Sequence, residues 1–108
     1  MSFLYYGLNA NTNSQAFLSI YGGLNRLTSK IGKADSTRNR EDLAIIELVI
    51  KGLLKPRKAK VWMEQLAKLH SRRYQVLYGE NASDRELQNI KTIFTFFLNK
   101  FIEYQKAV

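Results

Sequence analysis

The stretch Ser83–Tyr104 reads SDRELQNIKTIFTFFLNKFIEY, and it decides the predicted fold. Its apolar residues recur at the spacing of one helix face: Leu87, Ile90, Phe94, Phe97, Leu98 and Phe101. Ser83 and Glu86 form a capping box, in which each side chain bonds the backbone amide of the other residue. Because three phenyl rings on one face are unfavourable in water, other helices must cover this one. We therefore predict a helix over 84–105 within a helical bundle.

Three further amphipathic helices precede this one, and each is followed by a stop signal. The predicted helices are 14–31 before Gly32, 41–55 before Pro56, and 57–78 before Gly79. Alternating strand patterns are missing from the sequence. The connections between the helices favour an all-α, antiparallel up-down four-helix bundle as a single domain over 1–108. The segment 1–12 is an aromatic arm that either packs on one end of the bundle or docks on a partner.

Positive charge is concentrated in the middle of this basic chain. The 108 residues carry a formal net charge of +8, and eight of the cations lie in Lys51–Arg73 with Glu64 as the one acid. The predicted basic surface consists of Lys51, Lys55, Arg57, Lys58, Lys60, Lys68 and Arg72. Anionic lipid, an acidic protein and nucleic acid all complement such a surface. Without a basic signal start or a long apolar run, the chain is expected to be cytoplasmic.

The second helix is apolar on nearly all sides, which leaves two interpretations open. Its main apolar face consists of Leu43, Ile46, Val49, Ile50, Leu53 and Leu54. Ile45 and Leu48 then project from the other side. They are either buried within the monomer or form the contact surface of a homodimer.

Catalytic patterns are not evident in the sequence. The chain has one histidine, His70, and no cysteine, so we expect no enzyme activity, metal site or cofactor. His70 is interpreted as a partly buried structural residue, with an acid/base pair to Glu64 or Glu47 as the alternative. Arg73 lies on the apolar stripe, where its stem follows the core edge or its head pairs with Glu47.

Phe96 is the residue that we single out for partner binding, because its helical angle places it on a polar face. The predicted site consists of Phe96, Lys100, Glu103, Arg85 and Asn89. Exposed aromatic residues dominate binding hot spots. Replacing Phe96 by Ala is therefore expected to change stability little. The alternatives are that the N-terminal arm covers this ring or that an aromatic residue is exposed there by chance.

Several short segments between Glu41 and Phe101 resemble one family. They are Glu41-Asp42 opening Leu43-Ala44-Ile45-Ile46, the turn Lys55-Pro56-Arg57, Leu66-Ala67-Lys68-Leu69, and Ser83-Asp84-Arg85-Glu86-Leu87. Together they resemble the immunity proteins of pediocin-like (enterocin A-type) bacteriocins. This resemblance implies a non-catalytic cytoplasmic protein that protects a bacteriocin producer or a resistant relative. Its partner would be the membrane complex of the bacteriocin with a sugar phosphotransferase permease, with specificity largely in the C-terminal half. The aromatic arm and the short tail after the last helix depart from the family.

Two alternative functions belong to other classes. The segment Ile20-Tyr21-Gly22-Gly23-Leu24-Asn25-Arg26 resembles part of the helical-bundle flagellin export chaperones, which implies binding of a disordered client. The basic segment Lys51–Arg73 is compatible with nucleic-acid binding, with a solvated positive face as the alternative.

Overall fold

The computed structural model describes residues 12–33 and 40–107, which form four α-helices. These helices are α1 Thr12–Gly32, α2 Arg40–Ile50, α3 Pro56–Leu77 and α4 Asp84–Ala107. The two described ranges contain no strand, so the predicted all-α four-helix bundle is confirmed. The predicted arm, apart from Thr12, lies outside the described residues.

Helices α1 and α4 run in the same direction. Three contacts between them join residues 71 positions apart: Asn13 with Asp84, Gly23 with Phe94, and Lys30 with Phe101. A constant offset of this kind occurs only between parallel helices. In a bundle with strictly alternating directions the first and fourth helices would be antiparallel, so this detail of the prediction does not hold. The seven residues 33–39 can span at most about 24 Å. The sequence therefore did not require α1 and α2 to form a tight antiparallel hairpin.

Helices α3 and α4 form the predicted antiparallel hairpin. Trp62 contacts Phe96 and Arg72 contacts Glu86, so the residue number on one helix falls as that on the other rises. Gly79 adopts a left-handed conformation with φ 114° and ends α3, as predicted. The capping box is also confirmed, because the amide of Glu86 donates to Ser83 Oγ and the amide of Ser83 donates to Glu86 Oε1, both at 3.1 Å.

Helix α2 ends at Ile50, whereas the sequence predicted an end at Lys55. Gly52 has φ 73°, its amide donates to the Val49 carbonyl, and the Leu53 amide donates to the Leu48 carbonyl. These bonds form a Schellman motif, in which a left-handed glycine closes the helix. The prediction failed because it placed Gly52 inside the helix and assigned the stop to Pro56.

Helix α1 ends one residue later than predicted. Gly32 belongs to the helix, and Lys33 carries the left-handed φ of 54°. The Lys33 amide donates to the Ser29 carbonyl at 2.8 Å, which is the bond of an αL cap. A lysine therefore occupies a conformation that glycine adopts more easily.

The core lies where α1 meets the other three helices. Its fully buried large side chains include Phe17, Tyr21, Leu24, Ile31, Ile45, Leu48, Leu66, Ile90 and Phe97. On α4 the core also takes Ile93 and Tyr104, which the predicted stripe omitted, while Leu98 is 37% exposed. The rings of Phe94 and Phe101 are partly buried at its edge.

Of the two interpretations of the second helix, burial of Ile45 and Leu48 within the monomer is the one that the structure shows, whereas part of the predicted main face is exposed. Ile45 and Leu48 are 0% exposed, and Leu43, Ile46 and Ile50 are 40%, 44% and 69% exposed. A homodimer through Ile45 and Leu48 is incompatible with this packing, because both side chains already fill the core. Periodicity could not decide the orientation, since this helix is apolar on nearly every side.

Candidate functional site

The residues predicted to bind a partner lie in two separate places on α4. Arg85 and Asn89 are exposed near its start, and Asn89 borders a groove beside Arg72. Phe96, Lys100 and Glu103 lie farther along. Arg85 and Phe96 are separated by three helical turns, or about 16 Å. The five residues therefore do not form one compact surface.

Phe96 is not the isolated exposed ring that the sequence predicted. It stacks on Trp62 of α3 with the ring centroids 4.2 Å apart and an angle of 16° between the planes. Phe97 meets both rings nearly at right angles, at 5.3 Å. The Lys100 ammonium lies 5.5 Å from the centre of the Phe96 ring. Phe96 thus belongs to the partly buried edge of the core.

The sequence did contain a signal for the contact between Trp62 and Phe96. Both residues lie equally far along the chain from Gly79, at which the α3–α4 hairpin turns. Arg72 and Glu86, which also touch, lie equally far from Gly79 as well. An antiparallel hairpin that turns at Gly79 places residues at equal distances from this glycine side by side, which predicts the contact between the two rings. The pattern within either helix alone does not contain this information.

The aromatic pair borders an open groove of about 470 Å³ where α2 leads into α3. We call it the corner groove, and it is lined by Gly52, Leu53, Leu54, Lys55, Lys58, Val61, Trp62, Phe96 and Lys100. Its apolar wall therefore lies next to three ammonium groups. Lys100 also pairs with Glu103 at 3.3 Å, an arrangement that contributes little when solvent-exposed.

Most of the predicted basic surface lies in the segment that joins α2 to α3 and in the first turns of α3, and two of its residues, Lys55 and Lys58, line this groove. We call this part the basic corner, and it consists of Lys51, Lys55, Arg57, Lys58 and Lys60. All five side chains are exposed, and none forms an ion pair with a described residue. The segment 51–63 contains no acid. Ile50 and Val61, exposed by 69% and 49%, add apolar surface to the same region.

The first turn of α3 contradicts the usual charge preference of a helix. It contains no acidic residue, and Lys55 at the N-cap makes no side-chain capping bond. Arg57 and Lys58 instead place cations at the positive end of the helix dipole, where each costs a few tenths of a kcal/mol. Local conflicts of this kind are expected where function competes with stability.

Arg72, which the sequence assigned to the basic surface, holds the α3–α4 hairpin together. Its guanidinium donates to Glu86, to Glu80 at 2.9 Å, to the Asn81 carbonyl at 2.9 Å and to Gln75 at 3.0 Å. The bonds from Arg72 lower the pKa of the Glu86 carboxyl. Because its hydrogen-bonding groups are occupied, Arg72 is not a free cation. Lys68 is exposed beside it, away from the basic corner.

His70 belongs to a polar network that joins three helices. The Tyr21 hydroxyl donates to Glu41 Oε1 at 3.2 Å and lies 2.9 Å from His70 Nδ1. Because a hydroxyl has one proton, this geometry assigns a proton to Nδ1 that is donated to Tyr21. Burial and then the neighbouring Glu41 carboxylate raise the pKa of the Tyr21 hydroxyl. The sequence missed this network, since its members are 20 and 49 positions apart.

The alternative roles for His70 and Arg73 are not found. The hydrogen-bond partner of His70 is Tyr21, whereas Glu47 accepts a bond from the buried Tyr104 hydroxyl at 3.2 Å. The Arg73 guanidinium forms no ion pair with Glu47. It lies 5.5 Å from the ring centres of Tyr21 and Tyr74, which is a cation–π arrangement.

The functional interpretation of this site depends on its geometry, because protein families, curated proteins and solved structures give no match to the chain. Within 12–33 and 40–107, no three His, Asp or Glu side chains cluster to hold a metal ion. No helix in those ranges is both long and apolar enough to cross a bilayer. The corner groove and the basic corner remain the main candidate site.

Proposed function

We propose that this protein is a non-catalytic bacteriocin immunity protein that works at the anionic inner face of a membrane. The observation that supports this function best is the basic corner, where cations that form no ion pair with a described residue lie in the same segment as exposed apolar side chains. Cations with apolar neighbours on one surface are typical of proteins that bind reversibly to anionic lipid.

The charge of the basic corner is large enough for reversible attachment. A cation near an anionic leaflet contributes about 1 kcal/mol, so five give up to roughly 5 kcal/mol at moderate ionic strength. Ile50 and Val61 add a smaller apolar contribution, because their side chains can enter the headgroup region. The attachment would be reversible and sensitive to salt.

Attachment through the basic corner would also orient α4 toward a membrane receptor. Phe96, Lys100 and Glu103 lie on the half of α4 nearest the corner groove. A receptor complex in the same membrane would therefore meet this half first. Arg72 joins α3 to α4 through Glu86, and the capping box fixes the start of α4, so part of the recognition surface is ordered before binding.

Protection of a sensitive host tests this function directly. Cells that express the chain are challenged with a panel of pediocin-like peptides, and the expected result is a raised inhibitory concentration for at least one peptide. The double substitution Lys55→Glu and Lys58→Glu should remove the protection. Lys68→Glu with Lys91→Glu is the matched control, because it changes net charge equally at exposed positions away from the corner. Lack of protection against every peptide would refute the proposal.

Binding of single-stranded nucleic acid is a second candidate, favoured by the stack of Trp62 on Phe96 beside Lys55, Lys58 and Lys100. Aromatic rings next to cations are the usual surface for unpaired bases. Fluorescence titration with single-stranded oligonucleotides tests this function. Weak binding at low salt, or binding without a steep salt dependence, would argue against it.

A further inference from the structure

We infer that the corner groove binds the phosphate-bearing headgroup of one anionic phospholipid. This inference rests on the proposed membrane function and goes further, because it assigns a site and a ligand to one part of the basic corner. General attraction to a charged membrane requires no groove.

The two kinds of groove lining match the two parts of such a ligand. Leu53, Trp62 and Phe96 supply an apolar wall. Lys55 and Lys58 reach the groove from the start of α3, and Lys100 reaches it from α4. A phosphodiester next to a glycerol and the start of an acyl chain has the complementary chemistry. Lys100 can turn to the phosphate at small cost, because its exposed pair with Glu103 is weak.

The size of the groove favours a lipid headgroup over a nucleic-acid strand. Its volume of about 470 Å³ accommodates one headgroup with the beginning of a chain. A strand of nucleic acid needs a path for about four or more nucleotides with successive stacking surfaces. The groove offers a single stacked aromatic pair, and Glu103 adds an acid beside it.

The position of the groove favours a ligand that remains in its bilayer. Val61 forms part of its lining and is 49% exposed, so the groove opens where the basic corner would meet the membrane. Tryptophan prefers the headgroup level of a bilayer, where its ring is partly in apolar surroundings and its N–H can reach polar groups. Trp62 has this placement if the basic corner rests on the lipid.

Trp62 is the only tryptophan, so its fluorescence reports on this groove alone. The full chain is titrated with vesicles of 30% phosphatidylglycerol in phosphatidylcholine, and with pure phosphatidylcholine as the neutral control. We expect a blue shift of the emission with the anionic vesicles, and quenching when their acyl chains carry bromine near the glycerol. Binding measured by sedimentation without any change in Trp62 emission would overturn the inference and leave the proposed function intact.

Two matched double variants separate the groove from the charge around it. Lys55→Gln with Lys58→Gln removes two groove cations, and Lys51→Gln with Lys60→Gln removes two cations of the basic corner outside the groove lining. Each variant loses the general attraction of two cations, about tenfold or more in affinity. The groove variant should bind more weakly than the other variant and should lose the Trp62 response. The second variant should keep that response. Equal weakening of both would refute the groove site, and absence of vesicle binding by the unmodified chain would refute both proposals.

Two soluble ligands distinguish the lipid from other anions. Glycerol phosphate should change Trp62 emission only at much higher phosphate concentration than the vesicles, since it lacks the acyl portion. A response at equal concentration would show a simple phosphate site and overturn the lipid assignment. Quenching of Trp62 emission by a single-stranded oligonucleotide at a lower phosphate concentration than the vesicles require, at the same salt, would also overturn the lipid assignment. Circular dichroism checks that every variant keeps its helix content.

Discussion

Replacing Tyr21 by Phe should destabilise the fold more than most single-atom deletions. Tyr21 is 1% exposed, and its hydroxyl connects α1 to Glu41 of α2 and His70 of α3. The substitution keeps the ring and its packing but removes both hydrogen bonds. His70 Nδ1 and the Glu41 carboxylate then lose their common partner.

The expected loss follows from the two bonds. A hydrogen bond to a charged group contributes about 1.5–3 kcal/mol, and one between neutral groups about 1 kcal/mol. Glu41 is only partly buried and can turn to water, which reduces its share. We therefore expect the free energy of unfolding to fall by about 2–3 kcal/mol. For a domain of this size the melting temperature should fall by roughly 10–15 °C.

Urea unfolding followed by circular dichroism measures this difference. With a slope of about 1.5 kcal/mol per molar urea, the midpoint should fall by roughly 1.5 M. The control is Tyr78→Phe, because Tyr78 is 81% exposed and its loss of a hydroxyl should change little. A loss below about 0.5 kcal/mol for Tyr21→Phe would show that water replaces the hydroxyl at no cost, and would refute the network as a stabilising element.

The remaining predictions concern pH, a helix end, the aromatic pair and the start of α3. Burial raises the pKa of Tyr21 and Tyr104, so the folded state keeps protons that the unfolded chain releases above about pH 10. The free energy of unfolding should therefore be highest below about pH 10 and fall as the pH rises further. In the Tyr21→Phe variant the urea midpoint should fall less steeply with pH above about 10. An unchanged dependence of the midpoint on pH would contradict this. Lys33→Gly should raise the free energy of unfolding by about 0.5–1 kcal/mol by relieving the left-handed backbone, whereas no gain would exclude strain at this cap. Phe96→Ala should cost about 2 kcal/mol in the same assay, because it loses a partly buried ring and its stacking on Trp62; an unaltered midpoint would restore the sequence-based interpretation. Arg57→Glu should raise the free energy of unfolding by about 0.5 kcal/mol, because it replaces a cation by an anion at the positive end of the α3 dipole, and it should weaken vesicle binding. A loss of stability would show that the cation is not unfavourable at this position.

Local signals were sufficient to predict the helices and several of their ends. The capping box of Ser83 and Glu86 and the stop at Gly79 each depend on neighbouring residues, and both were read correctly. Gly52 illustrates the limit of this approach, because a glycine can end a helix or lie within one. Its left-handed φ depends on how α2 turns into α3.

Features that depend on distant residues were not predicted. The orientation of α2 is set by competition among its apolar sides, and Ile45 and Leu48 are buried only because of what faces them. The parallel arrangement of α1 and α4 has no local signal either. The corner groove needs Trp62 and Phe96 in register across a hairpin, so its parts were predicted separately but not together.

The direction of α4 determines where this protein can carry a label. Thr12 lies beside the start of α4, whereas Ala107 is at the far end, about 36 Å away along a helix of 24 residues. The Tyr104 hydroxyl near that end contacts Glu47, and the charge of Lys51 acts on it. An affinity tag or fluorescent protein fused after α4 would therefore crowd the lysines at the α2–α3 junction, and assays on such a fusion would underestimate its activity.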